Sequence, residues 1–561
     1  MNCKTNNDGF KKDGPLVPSS AVQKCLFEKV YSEIEVDPLD VHYIEAHATS
    51  TQVGDRQEVT SVDEFFCKNR KTPLKIGSVK SNVGHAEGAA GMCSIAKSIL
   101  IFENEKLIPN LNLNNLRDDC AAFNEERIKV VTSVEDFEGE FIGLNSFGVL
   151  GANAHVLLKR NPKEKINRGL PEDDLPRLLL LPGRTEDAIN FVFDEIERNP
   201  IDDEFLALLQ NSQIITSPAH VFRGLGIFKK EENGTKCVDR DIFEPTEAKR
   251  PVAFVFSGVG SQWLEMGRDL MKIPMISETI KSCHDILIER DVNLIEILTS
   301  TDPQTFTNTL HTFVGVAAIQ IALTNLLTAL QVVPDFIIGH SVGELGCAYA
   351  DGTLSLEETI LAALSRGNAI NEVKRKAGAM AAIGIGYSEL KNIVPKGIEI
   401  ACHNSSESCT VSGGVEEVKT FVQEIKQKNL LAKVIDSSGV AFHSSHIAQS
   451  GVLLLEKLQK IIKTPKVRSS KWISTSVGKE RWFEVDCKFS SAEYHTNNLL
   501  NPVLFEEGVA MLPENVLMIE IAPHGLLQPI LKRSVANGVY VSLTKRESED
   551  GVMFLLKALG K

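Results

Sequence analysis

The sequence lacks both paired cysteines and an apolar leader. Its 11 cysteines are scattered without a Cys-x-x-Cys pair, so neither a zinc site nor a disulfide framework is supported. The first residues, MNCKTNNDGFKKDG, contain none of the apolar core that a secretory signal needs. Both absences favour a reducing compartment, and we expect a cytoplasmic protein.

The chain also lacks a basic cluster with interleaved aromatic residues. Its net charge of -14 is spread along the sequence, which argues against nucleic acid as a partner. One uncharged run, residues 313–333, is long enough to cross a bilayer. Polar residues such as Gln320 and Asn325 interrupt it, and Pro334 ends it before a strand pattern. We therefore expect a buried helix and no membrane partner.

Length and patterning predict several α/β domains. The 561 residues, 43% of them hydrophobic, suggest roughly three to four domains. Residues 1–160 carry two glycine-rich segments, and residues 161–250 have the pattern of an α/β linker with a short strand at 178–181 and amphipathic helices. From 251 to 545 strand and helix patterns alternate, which predicts a parallel sheet covered on both faces. Residues 546–561 begin a further linker.

A smaller subdomain is predicted inside the third region. Residues 378–436 have the order β-α-β-β-α-β, which is the ferredoxin-like pattern. An insertion of this kind predicts a cleft between the subdomain and the larger sheet.

The segment Gly339-His340-Ser341-Val342-Gly343 has the pattern of a nucleophile elbow. It follows an apolar run at 336–338, and a G-x-S-x-G turn between a strand and a helix exposes its serine above the sheet. From Glu344 the pattern is helical, so the helix N-terminus would point towards an oxyanion.

A serine hydroxyl needs a base, and His443 is the best candidate because the chain there leaves the predicted subdomain beside the cleft. His446 is the main competitor, and His340 is expected to support the turn. The backbone N–H groups of Val342 and Gln262 are candidate oxyanion donors. No carboxylate stands out as a third member, so what orients the histidine stays open.

Arg366 lies towards the end of a helix that begins near Leu356. A guanidinium there could bind a substrate carboxylate through two hydrogen bonds. From spacing alone, a solvated arginine favoured by the helix dipole is the better interpretation.

Six motifs together resemble the malonyl/acetyl transferase domain of animal-type (type I) fatty acid synthase, in order and spacing. They are FSGVGSQW at 256–263, GHSVGE at 339–344, Arg366, VAFH at 440–443, NLLNPVLF at 498–505 and EIAPH at 520–524. The resemblance implies an α/β-hydrolase-like domain with a ferredoxin-like insert.

The resemblance also implies roles for individual residues. Ser341 would be acylated from malonyl-CoA or acetyl-CoA, with His443 as base. Gln262 and Val342 would form the oxyanion hole, Arg366 would bind the malonyl carboxylate, and Phe442 matches members that prefer malonyl. The acceptor would be the phosphopantetheine thiol of an acyl carrier protein domain, and no cofactor is expected on this chain.

The first region places His47 in the segment 43–51, and Lys80 and His85 in the segment 80–91, each flanked by small residues. A lone histidine is usually structural, and no third metal ligand lies at suitable spacing. These segments resemble the C-terminal half of a β-ketoacyl synthase, a thiolase-like half-domain. His47, His85 and Lys80 match the two histidines and the lysine that surround the catalytic cysteine of that family.

The cysteine-bearing half of that family is absent from this sequence, so we do not expect condensation by this chain, although a complete synthase domain would imply a homodimer. Ala48 and Ser50 stand where the family usually has glycine, Arg56 replaces a proline, and Leu150 replaces a glycine. These departures leave the activity of the synthase site open.

Two other functions remain open on the residues alone. A serine hydrolase acting on esters or thioesters would use the same elbow with water as acceptor. A non-catalytic remnant, in which the synthase half serves assembly, is the second alternative.

Overall fold

The computed structural model describes residues 2–11, 14, 16–161, 171–212, 219–232, 234–245 and 249–561. The chain divides into two compact units, Met1–Lys165 and Ile166–Lys561. The segment 162–170, next to the expected boundary between the first two domains, lies outside the described residues.

The first unit is built on a mixed sheet with strand order β1-β8-β7-β2-β3-β5. Its strands are β1 Asn2–Asn7, β2 Val41–Glu45, β3 Leu74–Gly77, β4 Lys106–Leu107, β5 Ile128–Val130, β6 Glu135–Asp136, β7 Phe141–Phe147 and β8 Ala152–Lys159; its helices are α1 Ser20–Ile34, α2 Gln52–Phe66, α3 Lys80–Val83, α4 Ala90–Asn104 and α5 Ala121–Asn124. Apolar residues of α1 and α2 pack on one face, around Phe27 and Phe66. Residues of α4 pack with Tyr43 and Leu144 on the other face. Strands β2 and β3 are parallel neighbours. The segments that follow them, which carry His47 and Lys80, therefore start at the same edge of the sheet.

The second unit begins with an antiparallel sheet of order β11-β10-β9. It comprises β9 Arg177–Gly183, β10 Phe222–Glu231 and β11 Gly234–Phe243, with helices α6 Glu186–Glu197 and α7 Asp203–Ser212. The sequence predicts the first strand and the helices but not the hairpin. The reason is that β11 buries little of its length and β10 ends in the charged run Lys229–Glu231, so neither strand shows a clean alternation.

The rest of the second unit contains a parallel sheet of order β19-β13-β12-β22-β23. The strands of this region are β12 Val252–Phe256, β13 Phe336–Gly339, β14 Gly378–Ile383, β15 Ile398–Ser405, β16 Ser408–Gly414, β17 Ala432–Ile435, β18 Lys466–Val467, β19 Trp472–Ile473, β20 Phe489–Ser490, β21 Val503–Leu504, β22 Leu517–Ile521 and β23 Val539–Ser542. Because β12, β13 and β22 are adjacent and parallel, the loops that follow them meet at one edge of the sheet. Ligands of open α/β sheets bind at this edge.

The helices of this region are α8 Pro274–Ile288, α9 Leu294–Thr299, α10 Thr309–Ala329, α11 Gly343–Ala350, α12 Leu356–Glu372, α13 Tyr387–Leu390, α14 Val415–Gln427, α15 Ala448–Ile461, α16 Val485–Lys488, α17 Ala492–Leu500, α18 Phe505–Val509, α19 Gln528–Ser534 and α20 Gly551–Gly560. The uncharged run forms α10, which is long and apolar enough to cross a membrane by length and composition. Most of its residues are buried in the core of the second unit. A buried helix is thus what the sequence predicts and what the fold contains.

The predicted insert forms its own sheet of order β17-β14-β16-β15-β21. The first four strands pair antiparallel, and α14 packs on them through a separate apolar core around Phe421 and Ile425. The ferredoxin-like order is therefore confirmed. Strand β21, which the sequence does not predict, pairs parallel with β15 and ties the insert to the chain that follows α17.

Candidate active site

The elbow is a strained turn between β13 and α11. Ser341 has a φ of 55°, a left-handed conformation that costs a residue with a side chain about 1–2 kcal/mol. A Cβ atom on Gly343 would overlap the carbonyl oxygen of Phe256, and one on Gly258 would lie 2.7 Å from the carbonyl oxygen of His340. Glycine is required at both positions because the turn packs directly against the loop after β12.

The structure brings Ser341 and His443 into hydrogen-bond contact. Ser341 Oγ lies 2.7 Å from His443 Nε2, and His443 Nδ1 lies 2.9 Å from the backbone carbonyl oxygen of Asn501. A carbonyl can only accept, so Nδ1 carries the proton and Nε2 is left to accept from the serine. His446, the competing histidine, lies in the following turn Ser445–Ile447, and the Ser341 hydroxyl contacts His443 instead.

The environment of His443 keeps its imidazole neutral. The ring is 2% exposed, and burial, together with the positive charge of Arg366, lowers the pKa of His443 to about 3. A neutral imidazole with a free Nε2 lone pair has the geometry and protonation state of a general base.

The partner of His443 on its far side was not found from the sequence. A main-chain carbonyl has no side-chain signature, and the available signal was only the motif NLLNPVLF, within which Asn501 lies. His340, as expected, supports the turn: its Nε2 lies 3.0 Å from Asn404 Oδ1.

The loop after β12 lies beside this pair. Gln262 Oε1 accepts a 2.7 Å hydrogen bond from the Gly260 backbone N–H, and Arg546 Nη2 donates to the carbonyl oxygens of Gly260 and Gln262 at 2.9 and 3.1 Å. Among the described residues, the backbone N–H groups of Gln262 and Val342 donate to no acceptor. Both N–H groups are therefore available to a ligand.

A cavity of about 720 Å³ opens at this edge of the sheet. Gln262, Ser341, Phe442 and His443 line it from the larger domain, and strands of the insert line it from the opposite side, with Met380 among their residues. The predicted cleft is present, and the serine faces it.

A buried carboxylate joins two of the loops that form this edge. Glu520 Oε1, at the end of β22, accepts from the hydroxyl of Ser257 and from the backbone N–H groups of Leu526 and Leu527 at 2.7 and 3.0 Å. Burial raises the pKa of Glu520 to about 7. Nothing in the sequence indicates a role for Glu520 beyond its place in the EIAPH motif.

Arg366 is not a solvated helix-end residue. It lies in α12 and is 2% exposed; its guanidinium packs 5.4 Å from the ring centroid of Phe313, which contacts Phe442 edge to face. Nη1 donates a 2.6 Å hydrogen bond to Asn498 Oδ1, whereas Nε and Nη2 are buried without a partner among the described residues. Burial lowers the pKa of Arg366 to about 9, so it remains charged at neutral pH.

The histidines of the first unit form a second, more open cluster. The rings of His47 and His85 meet edge to face, with centroids 5.5 Å apart, and Lys80 and His85 line a cavity of about 420 Å³. Burial and the nearby charges of Lys80 and His85 lower the pKa of His47 to about 4. The structure therefore brings the three predicted residues together.

The loop of His47 is held by a buried carboxylate and is strained. Glu58 accepts from the backbone N–H groups of His47 and Ala48, each at 2.8 Å. Ala48 and Ser50 have φ values of 27° and 63°, so the loop keeps a backbone that favours glycine. Leu150 is 77% exposed and is not among the residues with positive φ.

Comparison with known proteins identifies the family of the chain. The chain belongs to the acyl transferase domain family, whose model matches residues 253–560. Residues 1–114 match the C-terminal domain of β-ketoacyl synthases, and residues 117–227 match the C-terminal extension of ketoacyl synthetases.

Its curated relatives include fungal highly reducing polyketide synthases. One from Aureobasidium melanogenum is 30% identical over 95% of this chain and 26% of its own length. Another, anuA from Penicillium roqueforti, is 29% identical over 94% of this chain and 26% of its own length. The chain thus spans about a quarter of the length of these relatives. These relatives are polyketide synthases, whereas the motifs of the sequence predict an animal-type fatty acid synthase.

Solved structures support the fold. The acyltransferase domain from module 8 of the salinomycin polyketide synthase superposes with a TM-score of 0.57 at 20% identity, covering 69% of this chain and 96% of that one. The acyl transferase domain of SpnD, in complex with 2-(pent-4-yn-1-yl)malonyl, gives a TM-score of 0.57 at 19% identity, covering 70% and 96%. At these identities the likeness establishes the α/β fold alone.

Proposed function

We propose that this chain transfers a malonyl or acetyl group from coenzyme A to the phosphopantetheine thiol of an acyl carrier protein, through an ester on Ser341. The observation that carries the proposal is the contact between Ser341 and a neutral, fully oriented His443 at the mouth of the cavity. Membership of the acyl transferase family supports the reaction class.

The first half-reaction loads the serine. Ser341 Oγ attacks the thioester carbonyl while its proton passes to His443 Nε2. The backbone N–H groups of Gln262 and Val342 would stabilise the oxyanion. The tetrahedral intermediate then collapses, the C–S bond breaks, and the imidazolium returns its proton to the sulfur of coenzyme A.

The second half-reaction removes the acyl group from Ser341. The carrier thiol gives its proton to His443 and attacks the serine ester. Collapse of the second intermediate breaks the ester bond, and the proton returns to Ser341 Oγ. The Asn501 carbonyl would stabilise the imidazolium in both halves because it accepts from Nδ1 throughout.

Arg366 supports malonyl as a substrate. Its buried positive charge and two unpartnered donors suit a carboxylate, and an acetyl group has none. Phe442 lines the cavity beside Ser341 and contacts the Phe313 ring on which the Arg366 guanidinium packs, and we propose that it limits the size of the acyl group.

Acyl trapping tests the proposal. The chain is incubated with radiolabelled malonyl-CoA, quenched in acid and assayed for protein-bound label that hydroxylamine releases, and then chased with a phosphopantetheinylated carrier protein. We expect label on the wild type and on His446→Gln, and none on Ser341→Ala. Label that persists in Ser341→Ala would refute the proposal, and an ester lost to water as fast as to the carrier would favour a hydrolase.

The product of the complete protein has two candidates. The motifs resemble those of fatty acid synthase, which favours fatty acid biosynthesis, whereas the relatives in fungi favour polyketide synthesis. Mass spectrometry of the product made by the full-length synthase from malonyl-CoA separates them. For residues 1–160 we propose no condensation by this chain, because the half of the synthase family that carries the catalytic cysteine has no counterpart in this sequence.

A further inference from the structure

The environment of Arg366 is unusual in its charge balance. Burying a guanidinium without a counter-ion costs several kcal/mol. Other arginines of this chain are paired with acids although they are more exposed; Arg127, for example, lies 2.6 Å from Asp63. Arg366 is almost fully buried, and its one side-chain hydrogen bond goes to the neutral amide of Asn498.

The Asn498 amide is fixed in one orientation. Asn498 lies on α17 and is 2% exposed. Its Nδ2 donates a 2.7 Å hydrogen bond to Ser476 Oγ, so its Oδ1 must face the guanidinium. The Ser476 backbone N–H in turn donates to Ser474 Oγ at 3.2 Å, which fixes the serine to which Asn498 is anchored.

The acid whose charge acts on Arg366, Glu344, makes its hydrogen bonds to other groups. Ser474 Oγ lies 2.6 Å from the hydroxyl of Tyr494, which donates to the buried carboxylate of Glu344. The Glu344 carboxylate also accepts from the Thr475 backbone N–H at 2.7 Å. Glu344 therefore acts on Arg366 only through its field and leaves the donors of the guanidinium unused.

The hydrogen bond that Arg366 donates to Asn498 determines which of its donors stay free. By occupying Nη1 it leaves Nε and Nη2, both buried and unpartnered. The N–H bonds of Nε and Nη2 lie side by side on one edge of the planar guanidinium, and this edge matches the two oxygens of a carboxylate.

We propose that Asn498 is a positioning residue that makes the transferase selective for acyl groups bearing a free carboxylate. It holds the guanidinium by one nitrogen, presents the two-donor edge, and contributes no charge that would compete with the substrate. This inference rests on the proposed function, in which Arg366 binds that carboxylate.

An isosteric substitution tests whether the side chain at position 498 must be uncharged. In Asn498→Asp the new carboxylate would pair with Arg366 at Nη1 and neutralise the charge that attracts the substrate's carboxylate, although the Nε–Nη2 edge stays free. We expect kcat/KM for acylation by malonyl-CoA to fall about 100-fold, because the attraction between a buried cation and the substrate's carboxylate is lost. Acylation by acetyl-CoA, or by p-nitrophenyl acetate as a second donor without a carboxylate, should stay within about three-fold of the wild type.

The ratio of the two donors separates positioning from a structural role. Asn498→Ala, which only removes the anchor, should lower malonyl use about 10-fold and leave the donors without a carboxylate unchanged. Glu493→Gln, on the same helix and hydrogen-bonded at the surface to Gln459, is the control and should change neither. A parallel loss of all donors in Asn498→Asp, or no loss of malonyl use, would overturn the inference.

Arg366→Ala distinguishes failure of the inference from failure of the proposed function. If malonyl use survives Arg366→Ala, the assignment of Arg366 as carboxylate ligand fails. If malonyl use is lost in Arg366→Ala and retained in Asn498→Asp, only the role of Asn498 fails. Circular dichroism of each variant confirms that the chain is folded before its kinetics are compared.

Discussion

The two histidine sites of this chain differ in what holds the imidazole rings. In the second unit both nitrogens of His443 are occupied, one by the serine hydroxyl and one by a main-chain carbonyl. In the first unit His47 Nδ1 is buried without a partner among the described residues, and His85 is exposed. The difference shows that two histidines near a lysine do not by themselves define which ring nitrogen carries the proton, whereas a single histidine with both nitrogens bound does.

The two loops differ in the same way in how they support backbone strain. Ser341 is held at positive φ between Gly339, which packs against the start of α11, and Gly343, which packs against the carbonyl oxygen of Phe256. Ala48 and Ser50 adopt similar angles, and Glu58 holds the loop that contains them through backbone N–H groups. At the elbow, the strained backbone directs the Ser341 hydroxyl towards His443. In the first unit, the strained residues are Ala48 and Ser50, which follow His47 in the same loop.

The largest expected difference between the two sites is in acyl transfer. His443→Ala removes the base, and we expect the rate of carrier acylation from malonyl-CoA to fall roughly 1,000-fold or more. His47→Ala should leave this rate unchanged. A loss in His47→Ala comparable to that in His443→Ala would break the comparison, since it would make the first unit part of the transferase mechanism.

The second difference concerns close packing. Gly343→Ala places a methyl group against the Phe256 carbonyl oxygen, and overpacking of this kind costs roughly 3 kcal/mol. Gly88→Ala, on the first unit, meets nothing within 4 Å and should be neutral. The stability of each variant is measured by urea unfolding, followed by circular dichroism and by the acylation activity that remains. Equal urea midpoints for Gly343→Ala and Gly88→Ala would contradict the close packing at the elbow.

The third difference is that the stability of the second unit depends on pH through Glu520. Its pKa is raised from the model-compound value of 4.5 to about 7, so the folded state keeps a proton that the unfolded state releases. The stability that this group contributes is fully present below pH 4.5 and is lost as the pH rises through 7, by about 3 kcal/mol. Glu520→Gln keeps the accepting oxygen and removes the titration.

Melting temperatures from pH 5 to 8 check this prediction. The wild type should lose stability with rising pH relative to Glu520→Gln, and Glu140→Gln, an exposed residue of the first unit, should follow the wild type. Parallel curves for the wild type and Glu520→Gln would show that the carboxyl is ionised across the range.

The smallest expected effect lies in the strained loop of the first unit. Ser50→Gly relieves a left-handed residue and loses some chain entropy, for a net gain of about 0.5 kcal/mol. Thr49→Gly, at a neighbouring residue without positive φ, should destabilise by a similar amount. Thermal unfolding of the two variants compares them, and stabilisation by both would mean that the loop is not strained at Ser50.

The parts of the site that were predictable are those with a side-chain signature. The elbow, its serine and the histidine of VAFH follow from motif spacing, and strand and helix periodicity gave the parallel sheet and the insert. The order of the strands was not predictable, because pairing depends on contacts remote in sequence. For the same reason the sequence could not show that a carbonyl orients His443, or that the guanidinium of Arg366 is buried beside an amide.

The end of α17 has a consequence for engineering. The side chain of Asn498 contacts Arg366, and three residues later the carbonyl of Asn501 contacts His443. A chimera that exchanges acyl specificity between related domains cannot be joined between these two residues without shifting one contact relative to the other. Residues 492–502 are best moved as one cassette, together with the segment around Ser476 to which the Asn498 amide is anchored.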